Sequence, residues 1–347
     1  MKKKEIITSL IIIMFCYSCN HKNQNQQKEY TEAFKNSNLK KSENLKAVEI
    51  KNISKELLFP VGATIVKEKL IINDPKSEKP LHIVKLPDES YVGSFGSIGS
   101  GPGEVLVPWA VSISENDLIG VFDPRQKKIV EFDLDSLILK STFKNEHKIP
   151  LEIESSSVLV YNNHIYGLYG GENKHILTET NIVSNEVKRY GVPNEFFNSV
   201  DQRLKRELFR AKMNVSNNIL VITYVNLPQI EIFNLKNKKW NRISGPDKFT
   251  PKLKSAKSGV VSFVGNQKIA YTDVKVSDKF IYALYNGKSE KGIKGEHSNR
   301  VFVFDFEGVL IKEYVLDKGL ASFDVYNDSC IYGVNIEMIP ALLKFKL

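Results

Sequence analysis

The chain has 347 residues, of which 42% are hydrophobic and 26% charged, with 49 Lys and Arg against 40 Asp and Glu for a formal net charge of +9. An apolar share of this size can bury a large core and excludes a wholly disordered chain, while 14 Tyr and 19 Phe beside 20 Gly and 13 Pro favour strands and exclude an all-helical bundle. Lys is scattered among Glu and Asp without a compact basic and aromatic stripe, so the excess reads as a solvated surface and no nucleic-acid partner is expected.

The amino terminus reads as an address. Lys2 to Lys4 form a positive region, Ile6 to Phe15 an apolar stretch, and Ser18-Cys19 a small residue followed by cysteine. This is the pattern of a bacterial export signal of the lipoprotein type, with residues 1–18 removed and Cys19 as the lipid acceptor. The stretch is far short of the ~20 apolar residues that span a bilayer. Cys16 and Tyr17 depart from the usual lipobox, which favours aliphatic or small residues there. No acidic residues follow Cys19, which favours the periplasmic side of the cell envelope over surface display. Acylation of Cys19 would leave Cys330 as the other mature thiol, too few for an intramolecular disulfide, and Cys330 is expected to be a small buried residue in a strand. Residues 19–44 are rich in amides and Lys and read as a flexible tether.

From residue 45 onward one unit recurs six times. Its third strand appears as LHIVKL (81–86), IVEFDL (129–134), LTETNI (177–182), IEIFNL (230–235), VFVFDF (301–306) and LLKFKL (342–347). A second strand precedes each copy: 69–74, 117–123, 164–170, 218–224, 280–286 and 330–336. Before five of these lie short polar turns, Asn116-Asp117, Asn162-Asn163, Asn217-Asn218, Asp278-Lys279 and Asn327-Asp328, of the residue types that tolerate the positive φ of tight hairpins. Outer strands follow at 91–95, 140–143, 186–190, 239–243 and 311–315. Such a four-stranded meander cannot bury both faces alone, and radial packing of six gives an all-β, six-bladed propeller over residues 45–347, with seven blades or a split sandwich as the alternatives. The sixth unit ends at Leu347 without an outer strand, and Ala47 to Ile53 is expected to supply it and close the ring. Residues 193–213 carry apolar side chains at helical spacing, and Gly287 to Asn299 is expected to be a long loop of blade 5.

The glycine-rich segment 93–108 lacks the Lys-(Ser/Thr) and the following helix of a phosphate-binding loop. Phe95-Gly96-Ser97-Ile98-Gly99-Ser100-Gly101-Pro102-Gly103-Glu104, followed by Pro108, instead resembles the FGxxGxGPGEF signature of the six-bladed, TolB-like propeller lipoproteins of Bacteroidetes, with Val105 where an aromatic is usual. The resemblance implies a propeller in the cell envelope and transfers no catalytic residue.

No histidine pair, nucleophile elbow or calcium loop stands out, so neither a metal nor another cofactor is expected. The loops between second and third strands and between blades share one face of the ring. That face collects Glu104, Trp109, Asp123, Arg125, Glu172 and Asn173 as candidate binding residues, with Trp109 and Arg125 as the anchors. The expected function is that of a monomeric, lipid-anchored binding or scaffolding propeller with an envelope protein or glycan as partner. The alternative is a lactonase- or lyase-like propeller enzyme that holds a metal in its central channel.

Overall fold

The computed structural model describes residues 34, 42–113, 118–135, 143–150, 153–169, 175–193, 211–255, 261–289 and 297–347. They build six antiparallel blades. From the centre outward, blade 1 comprises Gly62–Val66, Lys69–Asn73, Leu81–Lys85 and Ser90–Phe95, and blade 2 Ala110–Ile113, Leu118–Asp123, Lys128–Asp133 and Phe143–Lys148. Blade 3 comprises Ile153–Tyr161, His164–Tyr169, Leu177–Asn181 and Val187–Tyr190, and blade 4 Ala211–Ser216, Ile219–Tyr224, Gln229–Asn234 and Trp240–Ser244. Blade 5 comprises Tyr271–Val276, Ile281–Tyr285, Ser298–Phe304 and Leu310–Leu320, and blade 6 Ser322–Tyr326, Cys330–Asn335 and Ala341–Lys346. Each inner strand packs beside those of the preceding and following blades, and that of blade 6 lies beside blade 1.

The radial arrangement explains the hydropathy of the strands. Middle strands are covered on both faces, so Ile219–Tyr224 and Ile281–Tyr285 are buried throughout, whereas the outer strand Phe143–Lys148 is almost wholly exposed. Each seam between blades holds its own apolar cluster. Ile71 and Ile83 meet Val121 and Val130 between blades 1 and 2, and Leu168 and Leu177 meet Leu220 and Phe233 between blades 3 and 4. The Asn162-Asn163, Asn217-Asn218 and Asn327-Asp328 turns have positive φ at both positions, as tight hairpins require. Asp278-Lys279 differs. There a four-residue turn is closed by Ser277, whose Oγ accepts the Phe280 amide (3.0 Å) and whose amide donates to the Phe280 carbonyl (2.9 Å).

Ring closure comes from the amino-terminal side. Strand β2 (Val48–Glu49) pairs antiparallel with Ala341–Lys346, Val48 opposite Lys344. The remainder of the expected closing strand is a single helical turn, α1 (Lys51–Ser54). The preceding strand β1 (Glu43–Leu45) lies parallel to Leu310–Leu320 and gives blade 5 a fifth strand, so strand structure reaches two residues into the segment read as tether.

Five further details depart from the sequence reading. The outer strand of blade 2 is described over Phe143–Lys148, while 140–142 of the expected strand lie outside the described residues, and its register is held by Glu131, which accepts from Asn145 Nδ2 (2.9 Å) and contacts His147 Nε2 (3.0 Å). Ala211–Met213 opens the inner strand of blade 4, while 194–210, with most of the expected helix, lie outside the described residues. Ser298 and Asn299 belong to a strand rather than to the blade-5 loop. Leu253–Ser255 and Val261–Phe263 form a small hairpin between blades 4 and 5 that the sequence did not signal. Cys330 is half-buried in its strand.

Candidate functional site

The channel edges of the inner strands pose a hydrogen-bonding problem, because neighbouring inner strands splay apart and cannot pair their backbones. Side chains solve it. Thr64 Oγ1 of blade 1 donates to the Val111 carbonyl of blade 2 (3.3 Å). Ser112 Oγ accepts the Val160 amide of blade 3 (3.4 Å), Ser157 Oγ the Met213 amide of blade 4 (3.1 Å), and Asn214 Oδ1 the Val276 amide of blade 5 (2.9 Å). Asp273 Oδ2 accepts the Phe323 amide of blade 6 (3.2 Å). Ser322 Oγ and Asp324 Oδ2 then receive the Ala63 (3.2 Å) and Ile65 (2.7 Å) amides of blade 1. Every seam is thus bridged by a side chain reaching from one blade to the backbone of the next. The sequence signal was the polar residue set among apolar ones in each inner strand, and the sequence reading passed over it.

Within this girdle lies a cavity of about 230 Å³, lined by polar groups such as Thr64, Ser112, Ser157, Asn214 and Asp324 and by apolar Val111, Met213 and Val276. Ser216, Asp278, Asn327 and Asp328 also line it, so it opens among the short hairpin turns. Lys275, 7% exposed, reaches across to the Ala63 carbonyl (2.8 Å) and lies 3.9 Å from Asp324. Burial pushes the Asp324 carboxyl above its ordinary range, against the pull of Lys275. At the opposite end Lys212 of blade 4 lies over the Trp109 ring of blade 2, 5.5 Å from its centroid. Among the described residues no three His, Cys, Asp or Glu side chains converge as metal ligands would.

The candidate residues of the long-loop face have different fates. Asp123 is fully buried, and its carboxylate accepts from the Leu106 (2.6 Å), Val107 (3.4 Å), Arg125 (2.9 Å) and Gln126 (3.1 Å) amides and from Gln126 Nε2 (2.9 Å). It clasps the glycine segment to blade 2. Asp74 does the same in blade 1, accepting the Leu58 (2.6 Å) and Phe59 (3.0 Å) amides. Glu104 folds back on its own loop and accepts the Gly101 amide (2.8 Å), and a Cβ on Gly99 would lie 2.0 Å from its Oε2. Gln126 Nε2 and Lys128 Nζ donate to the Gly99 (3.0 Å) and Gly101 (3.4 Å) carbonyls, which makes the signature a structural clasp between blades 1 and 2. Trp109 is 37% exposed and Arg125 exposed on the same face. Glu172, Asn173 and Cys19 lie outside the described residues. The structure therefore leaves Trp109 and Arg125 presented, and engages Asp123 and Glu104 internally.

The same loop region holds a buried imidazole. His82 is 3% exposed, with Nε2 3.0 Å from Ser77 Oγ and Nδ1 3.0 Å from Tyr91 Oη. Burial lowers its pKa below 6.5, although Asp74 and Glu56 pull the other way. The folded protein then binds fewer protons at this site than the unfolded chain, so stability is lost as pH falls from about 6.5 through the folded pKa. His82→Gln is expected to flatten that loss by up to about 1.4 kcal/mol per pH unit within the window, read from urea unfolding at a series of pH values. An unchanged pH slope would show that His82 is not its source.

The chain matches the TolB-like 6-blade propeller-like family over residues 33–328. It belongs to that family. No curated protein sequence matches it. Among solved structures, an exported protein of Bacteroides fragilis is similar at 12% identity and a TM-score of 0.56, covering 87% of this chain and 94% of that one. A member of the DUF4221 family from Bacteroides vulgatus is similar at 10% identity and a TM-score of 0.55, covering 88% and 97%. At these identities the likeness concerns the fold of this TolB-like propeller. Among its described residues no helix is long and apolar enough to cross a membrane.

Proposed function

We propose that this TolB-like propeller is an envelope lipoprotein, anchored through Cys19, that binds a small polar ligand or side chain in its channel without converting it. The observation that carries the reading is the commitment of the channel's polar side chains. Asp324, Ser157 and Asn214 line the cavity and each accept the amide of the next blade, while the cavity still offers hydroxyl, amide and carboxylate groups to an occupant. Groups held in this way are oriented to recognise a ligand. The exported relative from Bacteroides and the Ser18-Cys19 signal support the address.

Nitrogen–proton correlation spectra recorded with a library of low-mass polar fragments would test the site. Shifts at Ser112, Asn214, Asp278 and Asn327 are expected, and Ser216→Trp, at the channel mouth, should abolish them. Trp109→Ala/Arg125→Ala should leave them unchanged. Fragments that map to Trp109 and Arg125 instead would transfer the site to the long-loop face. Turnover of a lactone or ester library would replace the binding reading with an enzymatic one. For the anchor, Cys19→Ala should lose acyl labelling and membrane partitioning, and labelling that survives would remove Cys19 from the role.

A further inference from the structure

The seam between blades 4 and 5 holds a side chain from outside both blades. Phe34 packs edge-on against Phe302, with ring centroids 5.3 Å apart and planes at 88°, and against Phe304 at 5.7 Å and 81°. It thereby joins the apolar cluster of that seam. Gly245, at the end of blade 4, makes the room, since a Cβ there would lie 2.4 Å from Phe34 Cδ2. Further along the chain β1 adds to the outer edge of blade 5, with Glu43 paired to Lys312 (2.6 Å), and the Ala47 amide donates to Asp317 (2.9 Å). Only then comes β2, the two-residue strand that closes the ring.

These attachments lie in series along one chain. Among the described residues, a pull transmitted from the amino-terminal side reaches the Phe34 seat first, β1 second and β2 last. A two-residue edge strand is a weak terminus, because peeling it breaks one or two hydrogen bonds at a time, whereas extracting a phenyl ring from an aromatic seat exposes its buried surface in a single step. We infer that Phe34 and β1 form a strap that isolates the ring-closing strand from the membrane tether, so that thermal motion of the anchor does not open the propeller. The inference rests on the lipid-anchor reading for the source of the load. It rests on the structure for the seat.

Hydrogen exchange of the full mature protein tests it, with the acylated form on vesicles of phosphatidylethanolamine and phosphatidylglycerol compared with Cys19→Ala in solution. In the wild type the peptides spanning β1, β2 and Ala341–Lys346 should exchange equally in both states. In Phe34→Ala the same peptides should exchange faster on vesicles than in solution, because the load then reaches β1 and β2 directly and favours their local opening. Blades 1 to 3 should stay unchanged, and Phe34→Leu should restore most of the protection. Equal exchange of wild type and Phe34→Ala on vesicles overturns the strap. Faster exchange of Phe34→Ala by the same factor in both states also overturns it, because the ring would then be packing alone. Mass analysis showing no acyl group on Cys19 would overturn the anchor reading and the load with it, and is read independently of exchange.

Discussion

A protein lacking residues 1–54 is expected to melt roughly 10 °C or more below one lacking residues 1–41, because the missing segment closes the seam between blades 6 and 1. Ile50 and Ile53 are 5% and 0% exposed there, in a cluster with Leu70, Tyr332, Val334 and Leu342. The Ile50 amide donates to the Leu342 carbonyl (2.9 Å), and Ser54 Oγ accepts the Leu342 amide (3.1 Å). Burial of two isoleucines contributes roughly 1.5–3 kcal/mol each, and the stranded Leu342 amide adds a further penalty of about 1–3 kcal/mol. Ile53→Ala alone should cost about 3 kcal/mol and leave a cavity. The shorter truncation must stop before Glu43, since β1 is part of the structure. Coincident calorimetric transitions for the two truncations would show that the ring closes by other means.

Asp123→Ala should destabilise the protein by about 3 kcal/mol or more, since four backbone amides and one side-chain amide lose a buried acceptor together. Asp123→Asn should recover only part of the loss. Leu106 and Gln126 Nε2 both donate to the Oδ2 position, and one of the two oxygen sites becomes an NH₂ that cannot accept from its former donors. Arg125→Ala, two residues away and exposed, should change stability by no more than about 0.5 kcal/mol. Urea denaturation of the three variants measures the contrast. A cost for Asp123→Ala as small as that for Arg125→Ala would mean that the clasp does not hold the glycine segment, and would return Asp123 to the candidate binding residues.

The parts of the fold that were legible in the sequence are those where burial leaves a pattern. Middle strands covered on both faces read as apolar runs, and Asn-Asn or Asn-Asp pairs announce positive φ, so blade spacing and hairpins follow directly. The outer strand of blade 2 was only partly legible because Phe143–Lys148 faces solvent and carries no alternation; its register depends on Glu131, which only the folded partner strand reveals. β1 is three residues long and parallel, and Phe34 shares its polar stretch with one other aromatic, Tyr30, and no apolar periodicity, so neither has a local signature. The loop face misled for a different reason. Polar residues at loop ends look available to a ligand, but loops carry their own unpaired amides, and Asp74, Asp123 and Glu104 satisfy those first. The polar residues of the channel girdle are visible in the inner strands, but their pairing is not, because its bonds join residues dozens of positions apart, such as Ser157 and Met213.

The bridges between neighbouring inner strands all point the same way around the ring, from the side chain of one blade to the backbone of the next. The propeller therefore has a handed internal wiring, and adjacent blades are not equivalent neighbours. A substitution at Ser157 strips an acceptor from blade 4 while leaving the amide that Ser112 receives from blade 3 in place. Damage in one blade should accordingly loosen the inner edge of its successor and spare that of its predecessor, which gives an outwardly near-symmetric disc a direction in which disturbance travels.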